Sequence, residues 1–315
     1  MAPLSILLLG GTGTIGRATA QALRADGHRV TALIRPSADA SLLPGCAIRT
    51  GLLPDALADA MTGVDAVVSC LASRTGEPPD AWAVDYAANA AALKAAVAAG
   101  VGHFTLLSAI CVQKPLLEFQ RAKLAFEAEL QAAPLDWSIV RPTAFFKSLS
   151  GQVQRVARGK AFLVFGDGRL TACKPISDAD LGRFLALTLT DPAKRNRILP
   201  VGGPGPAITP LDQAAMLQRL TGRPVRIRRV PVALMHGIVG LLTVLGPLSP
   251  KLKAKAQLAR IGRYYATESM LHWNPATRSY DADATPEFGT DRIEEHYAAM
   301  LRGEVTDDRG AHAIF

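Results

Sequence analysis

Residues 4–17 read LSILLLGGTGTIGR and decide the fold. An apolar run enters a turn with glycines at positions 10, 13 and 16, and a helix-like segment, 17–26, follows. In a dinucleotide-binding βαβ unit the first glycine permits a sharp turn, the second lets the backbone approach a pyrophosphate, and the third lets the helix pack on the strand. The helix N-terminus then faces the phosphates with free N–H groups. Because the strand precedes the glycines and the helix follows them, the stretch predicts a dinucleotide site rather than a purely structural turn.

Composition narrows the class of protein. A chain of 315 residues with 49% hydrophobic and 20% charged residues forms one large or two medium globular domains. The net charge is +8, but the sequence has no lysine–arginine block and no aromatic residues interleaved with basic ones, so we expect no nucleic-acid partner. The excess of positive charge favours an anionic small molecule or a membrane surface as a partner; the alternative is that it serves solubility alone. The four cysteines are far apart and lack a Cys-x-x-Cys pair, which is typical of reduced thiols in a cytoplasmic protein. The N-terminal apolar run is too short for a signal peptide, and we expect no metal site.

Strands and helices alternate through the first half of the chain. After the first strand, the pattern predicts strands at 28–34, 46–50, 65–70, 103–108 and 137–140. It predicts helices at 54–61, 80–100 and 116–132. This alternation indicates an α/β fold with a doubly wound parallel Rossmann sheet.

The second half is less regular. Its patterns predict a hairpin turn at 166–168, a helix at 178–190, strands at 196–201 and 225–230, and a helix that Thr209 caps and Pro210 begins. We therefore divide the chain into an NADPH-binding Rossmann domain, 1–142, and a smaller, mostly helical C-terminal substrate-binding region, 143–315. We expect the second to be interleaved with the first.

The segment 232–246 is strongly apolar and contains His236. Its 15 residues are fewer than the roughly 20 that span a bilayer. We interpret it as a buried helix or a wall of an apolar pocket. The alternative is a dock on a membrane surface, favoured by the cations that flank it: Arg226, Arg228, Arg229, Lys251, Lys253 and Lys255.

The end of the second strand distinguishes NADPH from NADH. Arg35 follows this strand without an acidic residue before it, whereas NAD sites usually place Asp or Glu there to bind the ribose 2′-hydroxyl. Arginine accommodates a 2′-phosphate, so we expect NADPH; the alternative is a solvated loop arginine. Ligands bind at the carboxyl ends of the strands in such sheets. The residues expected to contact the cofactor around the first, second and fourth strands are Gly10, Thr12, Gly13, Thr14, Ile15, Gly16, Arg35, Leu71, Ala72 and Ser73.

Ser108 and Lys123 occupy positions used by short-chain reductases, which pair a serine with a Tyr-x-x-x-Lys on the next helix. Here Phe119 stands four residues before Lys123 and cannot transfer a proton, so we do not expect carbonyl reduction by a tyrosine acid. Lys123 can still orient the cofactor; the alternative is a surface lysine. After the sixth strand, the residues expected beside the cofactor are Pro142, Thr143 and Phe145, with Ser108 and Lys123. Phe145 and Phe146 would wall the nicotinamide or the substrate, or are plain core.

Five stretches together resemble the divinyl chlorophyllide 8-vinyl reductases, which use NADPH in chlorophyll and bacteriochlorophyll synthesis. The longest is LLSAICVQKPLLEFQRAK, residues 106–123, and Phe119 belongs to that family pattern. The others are VVSCLASR at 67–74, SIVRPTAFFKSL at 138–149, ACKPIS at 172–177 and IGRYYATESM at 261–270. The resemblance covers nearly the whole chain. The N-terminus is compact and lacks the plastid transit extension of plant members, so we expect a bacterial cytoplasmic form, with contact at the photosynthetic membrane surface left open.

The resemblance implies reduction of the 8-vinyl group of a magnesium tetrapyrrole, divinyl chlorophyllide or protochlorophyllide, to ethyl. Hydride would go to the terminal vinyl carbon, and Lys123, Tyr264, Tyr265 or a water would deliver the proton. The expected substrate-binding residues are Phe146, Lys174 and His236. His236 would bind the magnesium axially, or is a core histidine. Two alternatives stay open at this point: a non-catalytic NADP(H)-sensing regulator and an isoflavone-type reductase. The oligomeric state is not indicated.

Overall fold

Seven strands of the chain form one central sheet. The computed structural model describes residues 2–246 and 249–306. The strands of its first half are β1 Ser5–Leu9, β2 Arg29–Ile34, β3 Ala47–Thr50, β4 Ala66–Ser69, β5 His103–Leu107 and β6 Asp136–Pro142. The helices between them are α1 Thr14–Ala25, α2 Leu57–Ala60, α3 Pro78–Ala81, a π-helix Trp82–Ala88, α4 Asn89–Ala98 and α5 Glu118–Gln131.

The second half is mainly helical. Its helices are α6 Phe146–Leu149, α7 Val153–Ala157, α8 Asp178–Thr190, α9 Pro210–Thr221, α10 Val232–Leu245, α11 Pro250–Thr267 and α12 Ile293–Arg302. Its strands are β7 Phe162–Phe165, β8 Arg197–Val201, β9 Ile227–Val230, β10 His272–Asn274 and β11 Ser279–Asp281. Thr209 accepts a hydrogen bond from the Asp212 N–H and caps α9, and Pro210 is the first residue of that helix, as predicted.

The central sheet is parallel throughout, in the order β3-β2-β1-β4-β5-β6-β8. The strand order reverses between β1 and β4, which opens a crevice at the carboxyl ends of those strands. Residues of β4 and β5 are buried along their whole length, because helices cover both faces of the sheet. The predicted α/β, doubly wound Rossmann fold is confirmed.

The last strand and one covering helix of this sheet come from beyond residue 142. β8 pairs with β6, and α8 packs so closely on α1 that a Cβ built on Gly182 would lie 2.6 Å from the Ala18 carbonyl carbon. A glycine at this crossing lets the two helix backbones approach. Residues 178–201 therefore complete the sheet that the first 142 residues begin.

The predicted hairpin at 166–168 is wrong. Gly166 and Gly168 do make a tight turn with φ values of +58° and +82°, but β7 before them pairs in parallel with β9, more than 60 residues later. The chain after the turn runs instead to Cys173, which bridges Ile208. A turn sequence sets the local backbone, whereas the partner of the preceding strand is chosen by packing.

The first interpretation of the segment 232–246, a buried helix, is also wrong. The segment is helical over α10, but Leu234, Leu241 and Val244 are 55%, 61% and 76% exposed. α10 forms a helical hairpin with α11, in which Arg260 donates to the Thr243 hydroxyl, and the opposite face of α10 is left uncovered. Apolar composition predicts burial only where the fold supplies a covering element. Within 2–246 and 249–306, no helix is long and apolar enough to cross a membrane.

His103, at the start of β5, should make stability depend on pH. Its ring is buried against the Ser138 hydroxyl, and burial, aided by the Arg195 cation, lowers its pKa from 6.5 to about 4. The unfolded chain therefore binds a proton near pH 6.5 that the folded chain refuses until about pH 4. The free energy of unfolding should fall as the pH drops through this window, by about 1 kcal/mol per pH unit from this group.

Urea unfolding of the wild type and His103→Gln between pH 7 and pH 4 measures this contribution. We expect the wild type to lose stability more steeply than the variant below pH 6.5. Parallel curves for the two proteins would contradict the assignment.

Candidate active site

The glycine loop between β1 and α1 forms a cradle at the crevice. Gly10 has φ +71°, and a Cβ there would lie 2.6 Å from the Cys70 carbonyl carbon at the end of β4. A Cβ on Gly16 would overlap the carbonyl oxygen of Gly10, whereas one on Gly13 would meet only that oxygen, at 3.4 Å. Gly10 and Gly16 are thus required by the fold itself. Gly13 leaves space toward the crevice, which is where a pyrophosphate would approach.

The N-terminus of α1 faces this space without a side-chain cap from the described residues. Its first N–H groups and its dipole therefore remain available to an anion. Thr14 and Ile15 begin the helix, and Thr12 precedes it in the loop. This geometry fits the phosphates of a dinucleotide.

Lys147 is a residue of this site that the sequence interpretation missed. Its Nζ donates to the Thr14 hydroxyl at 2.9 Å, which brings a cation from α6 to the glycine loop. Asp178, in the first turn of α8, lies near Lys147 and Arg17; burial raises the pKa of its carboxyl, and the two cations oppose that rise. The sequence signal for Lys147 was its position directly after Phe146, within the stretch 138–149 that carries the family resemblance.

The residues on the two sides of the crevice differ in exposure and in their contacts. Arg35 follows β2, is exposed, and makes no side-chain hydrogen bond or ion pair within the described ranges 2–246 and 249–306. On the other side, Leu71, Ala72 and Ser73 follow β4, with Ala72 exposed and the other two half-buried. The Ser73 N–H points to the carboxylate of Asp85 at 3.4 Å.

Lys123 is not a surface lysine. Its side chain is 10% exposed and its Nζ lies 2.9 Å from Oδ1 of Asp85, whose side chain is 0% exposed. Lys123 comes from α5 and Asp85 from the π-helix before α4, so the pair joins the two helices that follow β4 and β5. The sequence interpretation missed Asp85; its signal was an acidic residue inside an alanine-rich helical stretch.

Ser108 is held by a neighbouring buried network. Its hydroxyl donates to Glu127, which also forms an ion pair with Arg141, and Ser108 and Glu127 are buried. At the end of β6 and just after it, Pro142 and Thr143 are buried and Phe145 is half-buried. Of these three residues, Phe145 is the one that is partly exposed.

The three residues expected to bind substrate lie apart. Phe146 is in the hydrophobic core with its ring 5.5 Å from that of His296. Lys174 is buried and donates to the Thr285 carbonyl at 3.3 Å and to Glu287 at 2.7 Å. His236 is exposed on α10, so the interpretation as a core histidine is wrong.

Tyr264 and Tyr265 converge with Lys123 on Cys111. The Tyr264 hydroxyl donates to the carbonyl oxygens of Cys111, at 3.0 Å, and of Lys114, at 3.3 Å. The Tyr265 hydroxyl lies close enough to the Cys111 thiol to affect its pKa, and Tyr265 is 40% exposed with its ring packed edge-on against Tyr264. Desolvation raises the pKa of both tyrosines, so both stay protonated at neutral pH. Lys123 lies close enough to Cys111 for its charge to lower the pKa of that thiol, against the larger effect of burial.

Helix α11 brings the tyrosines to this place. Its residue Ile261 and Phe119 of α5 both lie beside Gly76, in the loop after β4. Across the described residues, no group of three or more His, Cys, Asp or Glu side chains is arranged to hold a metal ion. The arrangement therefore combines a dinucleotide cradle, a buried lysine and protonated tyrosines.

Comparisons with known proteins agree with this geometry. The NAD(P)H-binding family model matches residues 10–192, which confirms the predicted dinucleotide. An NADPH-dependent quinone oxidoreductase from Escherichia coli, solved with NADPH, superimposes with a TM-score of 0.66 over 94% of this chain and 99% of its own, at 17% identity. At that identity the likeness supports the fold alone.

Two relatives match the chain over almost its whole length. Both are named divinyl chlorophyllide a 8-vinyl-reductase, chloroplastic. The Zea mays protein is 46% identical over 332 residues, which span 99% of this chain and 83% of the maize protein. The Oryza sativa subsp. indica protein is 44% identical over 338 residues, spanning 99% of this chain and 82% of the rice protein. The chain therefore belongs to the divinyl chlorophyllide a 8-vinyl-reductase family.

Proposed function

We propose that the protein reduces the 8-vinyl group of divinyl chlorophyllide or divinyl protochlorophyllide to an ethyl group, with NADPH, in chlorophyll or bacteriochlorophyll synthesis. The observation that carries this proposal is the 44–46% identity to two reductases of this name over 99% of the chain. That span includes the Rossmann sheet and everything after β6. It therefore covers the nucleotide site and the region left for the substrate.

The glycine loop and the crevice fit NADPH. The α1 N-terminus and the Lys147 cation suit its pyrophosphate, and Arg35 suits its 2′-phosphate. The other residues proposed to line it are Gly10, Thr12, Gly13, Thr14, Ile15, Gly16, Leu71, Ala72, Ser73, Ser108, Lys123, Pro142, Thr143 and Phe145. When bound there, NADPH supplies a hydride, which goes to the terminal carbon of the vinyl group.

The substrate reduces the need for a fixed acid at the position of Phe119. Negative charge that develops beside the vinyl group is delocalised into the macrocycle, so an oxyanion hole is less necessary than for a ketone. The protein must still deliver one proton to the inner side-chain carbon. Phenylalanine at 119 is compatible with this chemistry, because no alkoxide has to be protonated there.

Lys123 and Tyr265 are the proposed proton donors. The Tyr264 hydroxyl donates to two backbone carbonyls, and it would have to leave both to reach a substrate. Tyr265 keeps its proton because desolvation raises its pKa, and it is partly exposed, whereas Lys123 lies 2.9 Å from the buried Asp85 carboxylate. We assign Tyr264 the positioning of the 111–114 segment against α11.

The region 143–315 is the proposed substrate-binding region, with the sheet elements 178–201 interleaved into the first. A flat apolar macrocycle with acidic edges suits the α10–α11 hairpin and its cations. His236 can ligate the magnesium through a neutral imidazole. Leu234, Ile238, Leu241 and Val244 form an exposed stripe on α10. At about 100° per residue, the exposed His236 lies about 80° around the helix from Val244, at the edge of this stripe rather than on the face that packs on α11. Phe146 and Lys174 are both buried, so we propose that they pack beneath the residues that contact the substrate.

The exposed stripe of α10 is a proposed contact with the surface of the photosynthetic membrane. Its apolar side chains are followed and preceded by exposed cations, which suits an anionic lipid surface. The cations are Arg226, Arg228, Arg229, Lys251, Lys253 and Lys255. Neither alternative activity, the NADP(H)-sensing regulator or the isoflavone-type reductase, is favoured by an observation of its own.

Mixing the protein with divinyl chlorophyllide and NADPH tests the activity. We expect a blue shift of the Soret band as the conjugated vinyl group is lost, with the monovinyl pigment as product. Turnover with reduced ferredoxin or flavin but not with NADPH would contradict the cofactor assignment. Tight NADP(H) binding without pigment turnover would instead indicate the regulator.

Lys123→Ala should lower kcat/KM in this assay by about 100-fold or more, because the buried cation is lost from the reacting centre. Lys94→Ala, an exposed lysine of α4, is the matched control and should leave turnover unchanged. Wild-type turnover of the Lys123 variant would remove this residue from the mechanism.

Arg35→Ser should raise the KM for NADPH roughly tenfold or more and leave that for NADH nearly unchanged, since only NADPH presents a 2′-phosphate. Arg29→Ser, at the opposite end of the same strand, is the control and should change neither value. Equal increases for both cofactors in the Arg35 variant would refute the 2′-phosphate role.

Co-sedimentation with vesicles tests the membrane contact. The protein should bind phosphatidylglycerol vesicles at low salt, and Leu241→Ser with Val244→Ser should abolish most of the binding. Leu52→Ser, an equally exposed leucine elsewhere, should not. Unchanged binding of the double variant, or no binding by the wild type, would overturn the proposal.

A further inference from the structure

Asp85 has one carboxylate oxygen that the fold leaves without a partner. Oδ1 lies 2.9 Å from Nζ of Lys123 and 3.4 Å from the Ser73 N–H. Oδ2 is buried and has no hydrogen-bond partner anywhere in 2–246 or 249–306. An unpaired buried polar atom is costly, and more so on a charged group. The hydrogen bonding of the Asp85 carboxylate is therefore incomplete in the protein alone.

The position of Asp85 is fixed from several directions. It lies in the π-helix Trp82–Ala88, and such helical bulges are frequent at functional sites. The Asn89 amide donates to the carbonyl oxygens of Val84 and Asp85, each at 3.2 Å, and accepts from the Ser69 hydroxyl at 2.6 Å. Ser69 ends β4, so the irregular turn is tied to the sheet. This support holds the carboxylate in place and leaves Oδ2 unsatisfied.

The sheet order indicates which part of a ligand reaches Oδ2. A dinucleotide lies across the crevice between β1 and β4, with one nucleoside on each side. Arg35 stands on the β2 side and is matched to the 2′-phosphate of the adenosine half. Asp85 and Lys123 come from the helices that follow β4 and β5, which are the strands on the other side of the crevice. They therefore face the nicotinamide nucleoside, whose ribose hydroxyls are hydrogen-bond donors.

We propose that Asp85 is a cofactor-binding residue: Oδ1 holds the Lys123 ammonium, and Oδ2 accepts a hydrogen bond from a hydroxyl of the nicotinamide ribose. This deepens the proposed NADPH-dependent function and rests on it. A carboxylate is acceptor-only and suits a hydroxyl donor, whereas Lys123 can donate to the neighbouring oxygen of the same ribose. The pair thus presents one acceptor and one donor to a diol.

Binding of NADP+ and of 2′,5′-ADP, measured by calorimetry without pigment, tests the proposal. The second ligand carries the adenosine half and lacks the nicotinamide ribose. Asp85→Asn should weaken NADP+ binding about 10- to 100-fold, as expected for a lost hydrogen bond to a charged acceptor, and leave 2′,5′-ADP binding unchanged. Equal weakening of both ligands, or no change in either, would overturn the proposal.

Asp180→Asn is the matched control. Asp180 is also fully buried, pairs with Arg183 and accepts from the N–H groups of Thr290 and Asp291, none of which is a proposed cofactor contact. This variant should lower thermal stability and leave the ratio of the two dissociation constants at the wild-type value. A change in that ratio would mean that loss of any buried carboxylate alters the site.

A change in the ligand provides a second test that does not depend on the folding of a variant. Wild-type protein should bind an NADP+ analogue with a deoxygenated nicotinamide ribose about tenfold or more weakly than NADP+. The Asp85→Asn protein, where folded, should discriminate less between the two. Equal wild-type affinities would overturn the proposal, because a water or another group then occupies Oδ2. Since no pigment is present, failure of the vinyl-reductase activity would leave these results unaffected.

Discussion

Backbone packs directly against backbone where β1 meets α1. Gly16 lies on the carbonyl of Gly10, and Gly10 in turn lies against the end of β4. No side chain fits at either point, so α1 is held at the sheet with its N-terminus turned to the crevice. The positions of Thr14 and of the Lys147 cation that bonds it follow from this contact. The anion-binding end of the site therefore depends on Gly10 and Gly16, because a Cβ at either position would clash with backbone atoms.

The end of the site away from the glycine loop contains a buried ion pair. Lys123 and Asp85 are both buried, and each makes the burial of the other tolerable. They belong to helices that follow neighbouring strands, so the parallel register of β4 and β5 brings them together. With Phe119 at the position of the usual acid, this pair and the tyrosines of α11 are the polar groups that we propose for the chemistry. A conjugated vinyl substrate is compatible with that set, because it needs a hydride and one proton rather than a stabilised alkoxide.

The sequence predicted those features that depend on local patterns. The apolar run and the three glycines predicted β1, the loop and α1. The structure buries Lys123 against Asp85, which excludes the alternative of a surface lysine. The π-helix was not predictable, because one additional residue in a turn does not disturb an alanine-rich pattern; Asp85 was missed for that reason. The exposure of α10 and the pairing of β7 with β9 depend on contacts between distant segments, which periodicity does not report. Lys147 lies in one of the stretches that resemble the family, but its contact with Thr14 depends on the fold and cannot be deduced from that stretch.

The most direct measurement of the central claim is the position of the label after reduction with NADPH that carries deuterium in the transferred position at C4 of the nicotinamide. Divinyl chlorophyllide would be converted in ordinary water, and the product analysed by NMR and mass spectrometry. Hydride transfer to the terminal vinyl carbon predicts one deuterium, in the methyl group of the new ethyl side chain. Deuterium on the inner carbon of that side chain, or a monovinyl product without label, would contradict it.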